Sequence, residues 1–437
     1  MKSGDRGFKV PSGRAGRFLR LGGLGAKVAG SAALRGVREV AAGQRPKLQD
    51  LVLTPSNAAR VADELSRLRG AAMKLGQLIS MDAGDYVPPE LSQLFSKLRE
   101  SAHAMPPHQL KTVLRQNWGR NWLSKIQTFE VRPIASASIG QVHRVKTKDG
   151  RALAVKVQYP GVRESIDSDV KNAALLLKSS QLLPEGVDID PLLEEAKNQL
   201  HREADYEQEA DHLRTFRHLL EDAGHFIVPG VEDELTTPRI LAMDYIEGQS
   251  LESIEEAPAE TRDRVASQLM DLLLRELFEF RLVQTDPNFA NYRYQEATQR
   301  IVLLDFGATR SLTQALSSGY YRLLIAALDD DWPQLREILR GIGLIGEDLE
   351  PEHEKLLQQL YALTVEPMRG ASAYDFGESD LSKRITETGV ALRQSGFKHL
   401  PAPETIFIHR KIIGAYLLAA KLRARVNVAD LFSAYSA

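Results

Sequence analysis

The hydrophobic period of the chain changes at Phe129, and this change limits the possible folds more than any other feature. Upstream, apolar residues recur at helical spacing. Within 57–81 they are Val61, Leu65, Leu68, Ala72 and Leu75, and 108–127 reads as helix again. From Phe129 the pattern shortens. Residues 129–134 and 142–147 read as strands, Asp149-Gly150 is a tight hairpin signal, and 152–157 is the returning strand. Helical spacing resumes over about 163–180 and 190–222, with short strand-like runs near 225–229 and 239–246. From 259 the chain is mostly helical, broken by 282–310. The expected architecture is α+β: a small β-rich lobe, then a larger helical lobe.

A lysine stands in the middle of the returning strand. Lys156 lies in Leu-Ala-Val-Lys-Val, and a lysine among apolar neighbours needs either a partner or an edge facing water. Further on, Asp286 and Asn291 form Asp-x-x-x-x-Asn. Asp305-Phe306-Gly307 follows the apolar run Ile301-Val302-Leu303-Leu304, 19 positions after Asp286. This order can bring three oxygen-bearing side chains to one place, and oxygen ligands suit Mg²⁺ held with substrate phosphates. Kinase-type phosphoryl transfer uses such a set: a strand lysine paired with a helix glutamate, a catalytic-loop Asp, and an Asn and an Asp for metal. Asp-Phe-Gly alone is weak. A second copy, Asp375-Phe376-Gly377, follows Ala-Ser-Ala-Tyr and reads as a loop.

Two usual parts are missing. The first hairpin reads Ala135-Ser136-Ala137-Ser138-Ile139-Gly140 where a Gly-x-Gly-x-x-Gly turn is usual, and alanine methyls restrict that turn. Nothing after Gly307 looks like an activation segment ending in Ala-Pro-Glu. Helical sequence begins near Thr313, so the usual dock for a peptide substrate is absent. The ten histidines show no His-Glu-x-x-His or clustered ligand spacing, which argues against zinc, and His143 reads as structural. With no cysteine, disulfides, thiolate metal sites and a cysteine nucleophile are excluded.

These residues resemble the UbiB-type, aarF-domain atypical kinase family over about 57–437. The signatures are Lys74-Leu75-Gly76-Gln77, the alanine-rich turn with Ile139-Gly140-Gln141-Val142-His143, Glu203-Ala204-Asp205-Tyr206, and the Asp286 and Asp305 motifs. Within the family, 157–162, 305–310 and Ile408-His409-Arg410-Lys411 are most similar to the branch typified by the mitochondrial ubiquinone-biosynthesis ATPase. That branch usually has alanine where Ser136 stands, and typical bacterial members end in two spanning helices that this chain lacks.

The resemblance implies a two-lobed protein-kinase-like fold with a family-specific N-terminal helical extension. With the charge pattern, it divides the chain into a basic arm at 1–47, a helical extension at 48–128, an N-lobe with a long helical insertion at 129–246 and a mostly helical C-lobe at 247–437. It further implies that Lys156 holds the α- and β-phosphates of ATP or ADP, with Glu209 as its helix partner. Ala135, Ser136, Ala137 and Ser138 would cradle phosphate, and Met243, Asp244 and Ile246 would lie at the hinge beside adenine. Asp286 would be the catalytic acid, and Asn291 and Asp305 the Mg²⁺ ligands. Lys74, Gly76 and Gln77 would be regulatory. Their helix would fold over the site so that Lys74 meets Glu203 and Asp205.

Charge is divided unevenly along the chain. Residues 1–47 carry eleven basic and two acidic side chains, a net of +9, against −11 for the other 390. The apolar run from Arg20 to Arg35 is too short to span a bilayer but fits a surface anchor on anionic lipid, and equally a basic tail or a cleaved targeting segment. The near-neutral total argues against nucleic-acid coating. The reading is therefore an ATP/ADP- and Mg²⁺-binding kinase-like ATPase that supports ubiquinone biosynthesis. Expected partners are anionic membrane or isoprenoid precursors and ubiquinone-biosynthesis proteins, with no nucleic acid. The expected location is peripheral, on the cytoplasmic or mitochondrial matrix side, without a spanning helix. The alternatives are a protein kinase acting in trans and a nucleotide-binding scaffold without turnover.

Overall fold

A computed structural model describes residues 105–179, 190–286, 288–397, 399, 401 and 403–435. The basic arm and the helix expected over 57–81, with Lys74, Gly76 and Gln77, lie outside the described residues. The chain divides into two units. One comprises the described residues up to Asp211 with Gly230–Tyr245, the other His212–Pro229 with the residues from Ile246 onward.

In the first unit, the helix Pro107–Trp118 opens on a proline, whose missing N–H would be unpaired there in any case. It stops at Gly119, which takes φ 88°. The helix expected through 127 therefore ends early. A 3₁₀ turn, Trp122–Lys125, follows, and the strand expected over 129–134 lies instead at Ile126–Phe129, ending where it was expected to begin. The sheet runs Ile126–Phe129, Gly140–Thr147, Ala152–Gln158, Ile240–Asp244, all antiparallel, with Ala135–Ser136 paired to Gly140–Thr147. Residues 153–158 are buried without alternation, so this strand is covered on both faces. The rings of Trp118, Trp122 and Phe129 pack edge-to-face and tilted against one another, and the Trp118 indole N–H donates to the Leu235 carbonyl at 2.8 Å.

The helix expected over 190–222 is two helices, Asp190–Glu203 and Tyr206–Leu219. The break is an N-cap: the Asp205 carboxylate accepts the Gln208 N–H at 3.1 Å. The Gln158 side chain donates to the Ala204 carbonyl at 2.8 Å and ties the sheet to this break.

The second unit contains more sheet than its sequence suggests. The stretch 282–310, in which only the apolar run 301–304 reads as a strand, contributes to two sheets. Phe226–Ile227, Arg300–Leu303, Tyr292–Gln295 and Gln249–Ser250 form one, with the first pair parallel. Leu282–Gln284 pairs with Thr309–Ser311, setting Gln284 opposite Thr309. The helix Ala259–Leu274 passes into a π-helical turn, Arg275–Phe280, closed by Arg281 at φ 52°. After Asp305-Phe306-Gly307, Thr313 caps the helix Gln314–Leu328, where helical sequence was expected to resume. Trp332–Gly341, Pro351–Val365, Leu381–Gln394 and Pro403–Lys421 complete the main helices. The second Asp-Phe-Gly is not an open loop: Tyr374–Asp375 pairs with Arg425–Val426, and Phe376 is buried. No helix among the described residues is long and apolar enough to cross a membrane.

Candidate active site

The first unit assembles the lysine. Lys156 is buried on a strand with sheet on either side, and its Nζ lies 2.9 Å from both carboxylate oxygens of Glu209. Glu209 stands one turn into the helix that Asp205 caps, so the cap fixes where this carboxylate enters the sheet face. The Tyr206 ring lies 5.1 Å from the ammonium. An ion pair this buried is costly to desolvate, and removing one partner costs about 3–5 kcal/mol. The alanine-rich turn adjoins it. Ala135 and Ser136 are exposed, Ala137 and Ser138 half-buried, and the Ala137 N–H donates to the Gly140 carbonyl at 2.9 Å. A Cβ on Gly140 would lie 2.4 Å from the Val157 carbonyl oxygen, so the turn closes only on glycine.

Ser138 Oγ donates to the Glu203 carboxylate at 2.5 Å, joining the turn to the first acid of Glu203-x-Asp205. Asp205 caps its helix and lies 3.6 Å from Arg163. Of the hinge residues, Met243 is buried in the edge strand and Asp244 accepts the Gly230 N–H at 2.9 Å. Ile246 belongs to the second unit. His143 is fully buried, with one ring nitrogen 2.8 Å from Gln141 Nε2 and the other 2.8 Å from the Glu130 carbonyl. Burial lowers its pKa, which fits a structural role.

The second unit holds the acids. Asp286, Asn291 and Asp305 are half-buried. Asn291 Nδ2 donates to the Asp286 carbonyl at 3.0 Å, closing the Asp-x-x-x-x-Asn loop on itself. The Leu304 N–H donates to the Asn291 carbonyl at 3.0 Å, tying that loop to the residue before Asp305. Asp305 Oδ1 accepts the Gly307 N–H at 3.0 Å, and the same local turn recurs at Asp375, whose Oδ1 accepts the Gly377 N–H at 3.1 Å. Phe306 is buried against Phe216 with ring centroids 4.6 Å apart, and its carbonyl meets His212 Nδ1 at 3.2 Å. Thr285, for which no role was expected, donates its hydroxyl to the Ala308 carbonyl at 2.6 Å and joins the two loops. The only signal for it was its place beside Asp286. No group of three or more His, Cys, Asp or Glu side chains placed for a metal occurs among the described residues. Two carboxylates and one amide form a sparse oxygen set, which suits an ion that keeps waters and takes phosphate oxygens, as Mg²⁺ does.

Together these parts define a protein-kinase-like protein. The match to known proteins is narrower: the profile of the ABC1 atypical kinase-like domain matches residues 97–339, and the chain belongs to that family. It is 38% identical to the mitochondrial atypical kinase COQ8 of Saccharomyces cerevisiae over 97% of this chain and 85% of the relative. It is 37% identical to the mitochondrial atypical kinase COQ8B of Rattus norvegicus over 98% of this chain and 81% of the relative. Among solved structures it is similar to Rv3197 of Mycobacterium tuberculosis, determined in complex with erythromycin. The TM-score is 0.59 and the identity 25%, over 84% of this chain and 92% of that one.

Proposed function

We propose that this kinase-like protein is an ATPase of the UbiB type that supports ubiquinone biosynthesis, coupling ATP hydrolysis to the handling of a lipid precursor or a biosynthetic complex at a membrane. The observation that carries the reading is the buried Lys156–Glu209 pair, which presents an ammonium on the sheet face beside the alanine-rich turn. Lys156 would hold the α- and β-phosphates, with backbone amides of 135–138 beside them. Asp286 would orient the attacking water and accept its proton at the carboxylate. Asn291 and Asp305 would hold Mg²⁺. When bound, that ion neutralises charge on the transferring phosphoryl group. Only six residues separate Gly307 from the helix Gln314–Leu328, too few for a peptide-docking segment, which favours water or a small acceptor over a protein. The family resemblance supplies the pathway, and the mitochondrial relatives supply the expected location.

The test is ATP turnover with and without anionic liposomes, comparing wild type with Asp305→Asn. Turnover should fall on the order of 10²–10³-fold in the variant. Wild-type turnover no greater than the variant's overturns the reading. Radiolabelled phosphate on lysate proteins, absent with Asp286→Asn, would replace it with a kinase acting in trans.

A further inference from the structure

The loop that carries Asp286 and Asn291 stands on two feet, and one ammonium meets both. The loop leaves the strand Leu282–Gln284 and enters the strand Tyr292–Gln295. Lys411 Nζ lies 3.4 Å from Gln284 Oε1 and interacts electrostatically with the Tyr292 side chain. Its ion partner is Glu276, at 2.9 Å, whose carboxylate the Gln284 backbone also influences. The Lys411 and Glu276 side chains are 5% and 2% exposed, so neither is a surface charge. Such a pair gains little stability over apolar residues of similar volume, which leaves specificity of arrangement as its use. Glu276 sits on the π-helical turn Arg275–Phe280, and Arg281 closes that turn in the left-handed region, two uncommon backbone states in succession.

The helix that carries Lys411 meets the site twice more. Lys421 Nζ lies 4.5 Å from the centroid of the Phe289 ring, in the middle of the loop. The Arg310 guanidinium, just past Asp305-Phe306-Gly307, lies 4.5 Å from the centroid of Phe407. Lys411 and Lys421 follow Phe407 by about one and about four helical turns, so all three share one face of Pro403–Lys421. Burial pulls the Lys411 pKa down, but Glu276 and Tyr292 more than offset this, so Lys411 stays an ammonium.

We infer that the helix Pro403–Lys421 is the platform of the catalytic loop, with Lys411 and Glu276 as positioning residues that fix both feet of the loop and hence the placement of Asp286 and Asn291. The inference takes the chemistry of the loop from the proposed function and adds the element that holds it.

The test uses the full chain with Glu276→Gln/Lys411→Met together, which removes both buried charges, and with Lys411→Arg, which keeps the cation. Hydrogen exchange is followed over 282–293, with ATP turnover measured in parallel. In the double variant, exchange over 282–293 should quicken by about tenfold or more while that of the sheet strand Gly140–Thr147 stays unchanged. The kcat should fall by roughly 10–100-fold with nucleotide KM within about threefold, as for a displaced catalytic group. Lys411→Arg should recover part of both. Unchanged exchange over 282–293 in a folded double variant overturns the inference. So does a variant that fails to fold, or one whose protection is lost equally everywhere, since either assigns the pair to bulk stability. If wild type turns over no ATP, the exchange result still decides the platform while the functional reading falls.

Discussion

Lys156 and His409 are two basic side chains held inside the fold to different degrees, the first buried and the second half-buried. Lys156 was legible because a lysine inside Leu-Ala-Val-Lys-Val must find a partner. Its partner Glu209, 53 residues away, came from the family resemblance and not from any spacing. His409 was read only as part of a family stretch, yet it is half-buried, with Nε2 3.1 Å from the Tyr320 hydroxyl. Burial pushes its pKa down to about 4. The folded protein therefore keeps this histidine neutral, while the unfolded chain protonates it below about pH 6.5. Its contribution to stability is complete above that value. It is lost as pH falls toward 4, by up to about 3 kcal/mol. Burial pushes the Glu276 carboxyl up, which acts with the opposite sign, so the comparison must be between variants. His409→Gln should lose less stability than wild type between pH 7 and 4.5, as read from urea midpoints at the two pH values. Equal losses would show that His409 does not titrate as its burial requires.

At the scale of elements, single residues decided where the sequence reading failed. Gly119 ended a helix that the apolar pattern would have continued to 127, and the Asp205 cap split one long helix into two. Both are punctuation that hydrophobic period does not register, although glycine and aspartate are known stop and start signals. The strands of two to four residues in the second unit are too short to show a period, and their partners lie far along the chain. The hairpin with Lys156 was legible because its strands are long and its turn carries Asp149-Gly150. Its start also shows the tightest glycine requirement. Gly140→Ala would set a Cβ 2.4 Å from the Val157 oxygen and 2.9 Å from the Tyr206 hydroxyl. We expect it to cost roughly 1–3 kcal/mol, measured by denaturant unfolding. A cost near zero would mean that the turn relaxes freely.

For the whole molecule, the order of a β-rich part before a helical one was readable because the period changes only a few times along the chain. The candidate residues in each unit stood out because their types are chemically unusual where they stand. The split of charge matters most at this scale. If the protein works at an anionic membrane, the arm of net +9 should supply much of the attraction. Deleting residues 1–47 should weaken co-sedimentation with phosphatidylglycerol vesicles, and raising salt from 0.05 to about 0.5 M should weaken that of the full chain. Binding indifferent to both would remove the arm from the membrane role. The two Asp-Phe-Gly copies have a wider consequence. Each folds its aspartate oxygen onto the glycine amide and buries its phenylalanine. The tripeptide is therefore a portable word for one bend. Its chemical meaning is set by the neighbouring text, an Asp-x-x-x-x-Asn loop bonded to the first copy and a two-residue strand leading into the second. Searches that score the word without its context will count both as active.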